Sequence, residues 1–519
     1  MRVRELETEL RDYALNSNRL AARARVVFLV LLLFVLLAGC RGVFEVGIEQ
    51  TPTPHFAATE TLSALKTENA RLATRVAEQA ASLLPVNLGR LAYVQGGDIW
   101  VKTLPDGKPQ RLTTDGRNRD PRWSPSGDWI AFRKDSQVVV RQEVPCEIPS
   151  PRAQTCFETV SSLQRQAWLI RADGSSAHPL NQGLSVETFA WSPVNDRLAF
   201  VTPGGALHLS NADGSGLLKM IPSGDSARDA GQVAHIAWSP DGNWIAYEWK
   251  VQPPDPASTY QGLWKISKDG KERLELYDAN VLRRGEAILA RWTPLGKTVL
   301  FWQGESRSSH SLDGLYLYGV ETDRQSSGSA PAVRYSADVM LTYPDFVAPA
   351  PPRSQLGARD TVALVVGAGR GSWNNKRIEL PHAVSPKTIA AIAPAWSPDG
   401  ARLAYVGMPE QEDPGFGESA VQALLQRRIW IVDVSGESTP RRLTNTAGYR
   451  EERPLWSADG SHILFARMDS RGRASLWIAP ANGVTVYPLV DELTPVPDPF
   501  GSYGHVDWDT LFDWWSGAE

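Results

Sequence analysis

The sequence predicts an all-β protein, a single β-propeller of four-stranded blades. Two observations carry that prediction: a Trp-centred segment that recurs along the chain, and a hairpin that follows its copies. The 519 residues have a formal net charge of −4, with 22% charged and 42% apolar residues. That is ordinary globular composition on a chain long enough for a large core. A charge so near balance lays down no electrostatic footprint for nucleic acid, so no nucleic-acid partner is expected.

The recurring segment reads "PRWSPSGDWIAF" from Pro121, "FAWSPVNDRLAF" from Phe189, "IAWSPDGNWIAY" from Ile236 and "PAWSPDGARLAY" from Pro394. Its tryptophan falls at Trp123, Trp191, Trp238, Trp292, Trp396 and Trp456. The gaps are 68, 47, 54, 104 and 60 residues, and 104 is twice 52. One degenerate unit is therefore expected before Trp396, with "YPDFVAP" from Tyr343 for its Trp half and "DTVALVVG" from Asp360 for the rest.

Each part of the unit has a physical role. In Ser-Pro-Asp-Gly, Pro presets φ for the turn and Gly takes the left-handed exit. The "IAF" and "IAY" runs are apolar on successive residues, as in strands buried on both faces. The tryptophans are expected to wedge between neighbouring blades, with Ala131, Ala199, Ala246 and Ala404 where sheets approach closely. The hairpins read "DIWVKTLPDGKPQRLT" from Asp98, "AWLIRADGSSAHPL" from Ala167, "LWKISKDGKERLEL" from Leu263 and "LWIAPANGVTVYPL" from Leu476. Asp-Gly and Asn-Gly between apolar runs signal tight turns whose two central residues take positive φ.

Four strands in a repeating unit of about 50 residues define a propeller blade. The body opens on "GRLAYVQGGDIW", an "IAF" half with no Trp half before it, and closes near "HVDWDTLFDWW", a Trp-bearing strand. Together these ends complete one blade, close the ring and remove its exposed edges. The count is then eight blades, or seven if the 345–390 region is an insertion.

This repeat resembles the TolB-type, WD-like propeller repeat over roughly residues 86–515. The resemblance implies the architecture. Its relatives span periplasmic binding scaffolds, the propellers of prolyl-oligopeptidase-type enzymes and some sugar lyases. TolB itself usually has six blades and an additional α/β domain; neither fits here, so a role in a Tol complex does not carry over.

Ahead of the propeller, Arg2, Arg4, Arg11, Arg19, Arg23 and Arg25 precede an apolar run over residues 26–39. Fourteen residues fall short of the roughly 20 a spanning helix needs, but suit a signal-peptide core. The run ends Leu37-Ala38-Gly39-Cys40, similar to the lipobox of bacterial lipoproteins. That resemblance implies cleavage of residues 1–39 and lipidation of Cys40. An uncleaved N-terminal anchor helix is the alternative. Either places the rest of the chain on the extracytoplasmic face of a bacterial cell envelope, the arginine-rich side staying inside. With Cys40 lipidated, Cys146 and Cys156 are left to pair as a disulfide in an exporting compartment.

Residues 40–59 read as a tether and 60–85 as a helix. Leu62, Asn69, Val76 and Leu83 fall at heptad position a, with Leu65, Leu72 and Gln79 at d. A short parallel coiled coil would make a homodimer, Asn at a fixing its register; a monomeric stalk helix is the other reading. The propeller fills 86–515.

No catalytic residue, metal site or cofactor is expected from local motifs. Ser239, Asp241 and their copies belong to the turn, because Ser126 and Ala458 vary it and "WTPLG" from Trp292 has neither Ser nor Asp. No G-x-S-x-G elbow occurs, and no two of the eight His stand at metal-ligand spacing. His235 and His505 each stand three residues before a Trp, which points both to the channel side of equivalent strands. Residues 141–166, 250–262, 343–359 and 408–425 depart from the repeat and are the expected carriers of binding specificity. The function expected is a membrane-anchored, non-catalytic scaffold for a protein or glycan ligand. The alternative is a propeller enzyme, of polysaccharide lyase or hydrolase type, with its site at the central channel.

Overall fold

The computed structural model describes residues 87–517, apart from 145–155, 184, 223–230, 252–259, 280–286, 305–314, 324–332, 340–342, 353–360, 368–374, 381–382, 412–414, 436–438 and 484. The lipobox, tether and heptad helix therefore lie outside the described residues, as does Cys146. Cys156 opens a strand opposite Val144.

Eight antiparallel sheets form the ring, seven of four strands and one of three. Blade 1 holds Arg90–Gln95, Asp98–Thr103 and Gln110–Arg111, with Phe512–Trp515 as its innermost strand. Arg90 pairs with Trp515 and Tyr93 with Phe512, so the two ends of the propeller meet in one sheet. The degenerate unit is the three-stranded blade 6, built of Val347–Pro349, Val362–Val366 and Arg377–Glu379. Blade 2 carries the longest hairpin, Trp129–Val144 against Cys156–Arg171, so much of the 141–166 departure from the repeat is extended sheet.

The core runs in layers between blades. One layer joins Ala246 and Leu263 of blade 4 to Trp292, Val299 and Phe301 of blade 5; another joins Leu464 and Leu476 of blade 8 to Leu91, Tyr93 and Phe512 of blade 1. Ala131, Ala199, Ala246 and Ala404 are all fully buried. The motif tryptophans stitch these layers. In five of the six the indole N–H donates to the carbonyl that precedes the equivalent position in the previous blade: Trp191 to Arg122 at 3.1 Å, Trp238 to Ala190 at 3.0 Å, Trp292 to Ala237 at 2.9 Å. Trp396 reaches Ala348 at 2.7 Å and Trp456 reaches Ala395 at 2.9 Å.

The ladder breaks at the closing seam. The Trp123 indole N–H is buried with no hydrogen-bond partner. Its backbone N–H donates instead to the Asp513 carboxylate at 2.8 Å. Trp514, paired opposite Leu91, occupies the wedge position of blade 1, while Trp508 sits in a 3₁₀ turn ahead of the strand.

The Ser and Asp of the motif are consumed by their turn. Ser239 Oγ donates to Asp241 at 2.6 Å and accepts from the Trp244 N–H at 2.9 Å, and Gly242 has φ +67°. Ser397–Asp399 and Ser457–Asp459 repeat the geometry. The hairpin turns differ from expectation in two respects: Gly107 and Gly483 do not take positive φ, and in the other two turns only the glycine does. Gly174 and Gly270 have φ of +87° and +76°, but their Asp partners are not left-handed. Asp173 and Asp269 accept the backbone N–H two residues ahead, at 2.8 and 3.2 Å, and this Asx turn holds them right-handed.

Candidate functional site

The chain leaves blade 8 at Val490 and enters its last strand at Phe512, and the crossover between them bonds to Val94 of blade 1, to Tyr343 ahead of blade 6, to Arg427 within blade 7 and to Gly472 within blade 8. It is bolted down by buried charge. Glu452, on the innermost strand of blade 8, takes hydrogen bonds from Arg427, from Arg450 Nε at 2.8 Å and from the Trp508 indole at 2.7 Å. The same arginines donate to crossover carbonyls, Arg427 to Gly504 at 2.7 Å and Arg450 to Pro499 at 2.8 Å. Burial alone would raise the Glu452 pKa; the charges of Arg450 and Arg427 outweigh it and hold it at about 2. The Arg450 pKa is pulled down to about 10, chiefly by burial.

A second anchor lies at His505. His505 Nε2 meets Asp345 Oδ1 at 3.0 Å, and the ring stacks on Tyr343 with centroids 3.8 Å apart. Burial opposes charge on this imidazole, but Asp345, and then Glu452, raise its pKa above 6.5 against the opposing charge of Arg427. A raised His pKa contributes stability below the unfolded value and loses it as pH rises through the folded value. Asp345→Asn is therefore expected to cost about 2 kcal/mol near pH 6, with the deficit shrinking as pH rises above the His505 value. Thermal melts across pH check this; a pH-independent deficit contradicts it.

Between these anchors the channel floor gathers charge from distant blades. Arg122 of blade 2 pairs with Asp120 at 2.7 Å and approaches Asp509 at 4.0 Å. Arg453 of blade 8 pairs with Asp509 at 2.6 Å. Arg291 of blade 5 donates to the Pro344 carbonyl at 3.1 Å. Asp120 and Arg453 have φ of +57° and +56°, and each lies where the innermost strand breaks register. That bulge is a left-handed position three residues before the Trp, and it re-aims one side chain per strand.

His235 holds the same place in blade 4. Its Nδ1 lies 2.8 Å from Oε1 of Glu248, a fully buried carboxylate that also accepts the Leu289 N–H at 2.7 Å. Blade 2 has the same pair of positions filled by Asp120 and Arg133, 3.0 Å apart. The pair thus recurs with its charges exchanged, and in both blades it closes the bulge. His505 is not its counterpart. It belongs to the crossover, because the wedge tryptophan of that blade is Trp514 and not Trp508.

Beside this cluster, along Asp507, Thr510 and Leu511, opens a cavity of about 1130 Å³. One wall is the crossover, with Pro495, Val496, Pro497 and Val506; another is blade 2, with Arg119 of its innermost strand and Asp135, Gln137 and Leu163 of its long hairpin; Tyr343 and Pro344 close a third side. Arg119 and Asp135 pair with each other through two bonds of 3.1 and 3.0 Å. Asp507 and Thr510 face the cavity from the 3₁₀ turn and its cap. The 408–425 segment contributes a short helix, Glu418–Leu424, whose Leu424 packs with Phe500 and Tyr503 beneath the crossover. Among the described residues no group of three or more His, Cys, Asp or Glu is arranged to hold a metal ion.

No family model matches the chain, and no curated protein matches it. Solved structures do. The dipeptidyl peptidase 4 of Porphyromonas gingivalis is similar over 80% of this chain and 61% of its own, with a TM-score of 0.50 and 11% identity. The chain thus spans less than two thirds of that peptidase. An oligogalacturonate lyase in complex with manganese is similar over 78% of this chain and 86% of its own, TM-score 0.40, identity 12%. A protein described as TolB from Agrobacterium tumefaciens covers 78% and is covered over 88%, TM-score 0.29, identity 13%. The chain is a β-propeller, and its structural neighbours include TolB-like and other propellers. The expectation that it is not an enzyme is corrected here. The peptidase shares the propeller fold over 80% of this chain, so a ring free of local catalytic motifs gives no ground for excluding catalysis.

Proposed function

We propose that the chain is a membrane-tethered, extracytoplasmic propeller that binds a chain-like ligand, a protein or a glycan, in the cavity walled by its crossover. The observation that supports this reading is the cavity itself: about 1130 Å³, walled in part by Pro495, Val496, Pro497, Val506 and Leu163, with Arg119, Asp135 and Asp507 among its polar lining. Ligand sites are concave and mainly apolar, with a few fixed polar groups. Binding there is the step a scaffold and an enzyme share. The anchoring rests on the arginine-rich lead, the apolar run and Cys40.

Leu163 makes the cavity testable, being a rim residue 57% exposed and free of core packing. The full chain, purified in detergent, is screened on peptide and glycan arrays. Leu163→Ser is expected to weaken any ligand so found by about tenfold, the value of one apolar side chain, with the melting temperature unchanged. Full affinity in the variant places the site elsewhere.

A further inference from the structure

Resting on that cavity reading, we infer that the ligand is a basic peptide, and that Asp507 is the counter-ion of a lysine or arginine side chain. Four observations converge on it.

Asp507 lines the cavity and, among the described residues, makes no side-chain hydrogen bond, even to the 3₁₀ turn it caps. Among the other charged residues of the lining, Arg119 and Asp135 neutralise each other, and Asp498 accepts the Phe500 N–H in its own turn. Arg117 is exposed at the rim.

The cations beneath Asp507 are also committed. Arg122 serves Asp120 and Asp509, and Arg453 serves Asp509. Burial, the neighbouring charges of Asp509 and Asp120, and only partial relief from Arg122 and His505 raise the Asp507 pKa. Asp507 is itself solvent-exposed, so a ligand cation can reach it, and the uncompensated negative charge around it draws that cation in.

The carboxylate is held in position. Its neighbour Trp508 is 3% exposed and bonded to Glu452, so the Asp507 backbone does not have to be ordered on binding.

The surroundings favour peptide over sugar. The cavity that Asp507 lines is also lined by Pro495, Val496, Pro497 and Val506. Such walls suit the methylene stem of Lys or Arg, which packs on apolar surface while its head reaches a charge. An amino sugar would press hydroxyl groups against the same prolines.

The test uses the full chain in detergent and three fluorescein-labelled probes: a hexalysine peptide, its fully Nε-acetylated form, and a glucosamine oligomer. Hexalysine is expected to bind, and the acetylated form to bind at least tenfold more weakly. Asp507→Asn is expected to reduce hexalysine affinity at least tenfold, with Asp507→Glu restoring most of it and melting temperatures unchanged. Equal binding of hexalysine by wild type and Asp507→Asn overturns the counter-ion assignment; if Leu163→Ser still weakens that binding, the cavity reading survives. Preference for the acetylated peptide, or no binding of hexalysine, overturns the inference, and so does binding of the glucosamine oligomer alone. Binding untouched by either Asp507→Asn or Leu163→Ser overturns both the inference and the cavity reading.

Discussion

Replacing Glu452 by Ala is expected to destabilise the chain by about 3–5 kcal/mol, the range found when one partner of a buried ion pair is removed. Arg427 and Arg450 are each 1% exposed, and the variant leaves both without their carboxylate. It also frees the Trp508 indole and loosens the crossover at Gly504 and Pro499. Glu452→Gln keeps an acceptor for Trp508 and is expected to cost less. Replacing the two arginines and the glutamate together by apolar residues is expected to cost less than Glu452→Ala, since no orphaned charge remains. Denaturant titration followed by tryptophan fluorescence reads all three variants; a cost below about 1 kcal/mol for Glu452→Ala contradicts the assignment.

The same carboxylate sets an acid limit. Its pKa is lowered from 4.5 to about 2 in the fold. A depressed carboxylate contributes stability above its unfolded value and loses it as pH falls through the folded one. On the order of 3 kcal/mol is expected to be lost between those two values. In Glu452→Gln this part of the acid dependence should be absent. Because the network clamps the crossover that walls the cavity, ligand binding should fail over the same acid interval.

The blades were legible because their constraint repeats. In six of the blades the repeat supplies a Trp for the wedge, a tight turn after it and a second strand buried on both faces, and even the Trp-less blade 6 keeps the buried strand. The crossover obeys none of these. Glu452 and Trp508 are 56 residues apart, and Asp345 and His505 are 160 apart. No local period connects such partners, so the walls and anchors of the cavity could not be read in advance. Asp120 and Arg453 did leave a trace: each is a charged residue three positions before a motif Trp, where a buried strand would carry an apolar one. The His505 misplacement has a similar origin. "DWDTLFDWW" offers three tryptophans for one wedge, and only the pairing of Leu91 with Trp514 selects among them.

That pairing makes the last strand the most consequential four residues of the propeller. Deleting residues 512–515 is expected to abolish cooperative unfolding of the ring. It removes Phe512, 2% exposed, from the layer between blades 8 and 1. It removes the Asp513 carboxylate that accepts the Trp123 N–H. It also strips Trp515 from the Arg90 guanidinium, which lies 4.5 Å from that ring and 5.0 Å from Trp123. The inner edge of Arg90–Gln95 is then an unpaired strand, a template for pairing with a second chain. Size-exclusion chromatography with light scattering should show concentration-dependent oligomers where the intact chain shows none of that origin. Phe512→Ala isolates the packing part, at about 3–5 kcal/mol, and should leave the assembly state unchanged. Gly127→Ala probes the same seam from blade 2. Its φ is +72°, and a Cβ there would lie 2.4 Å from the Arg90 guanidinium and 2.6 Å from the Trp515 ring. The truncated chain melting in one sharp transition at the wild-type temperature would show that the ring holds without its terminal strand.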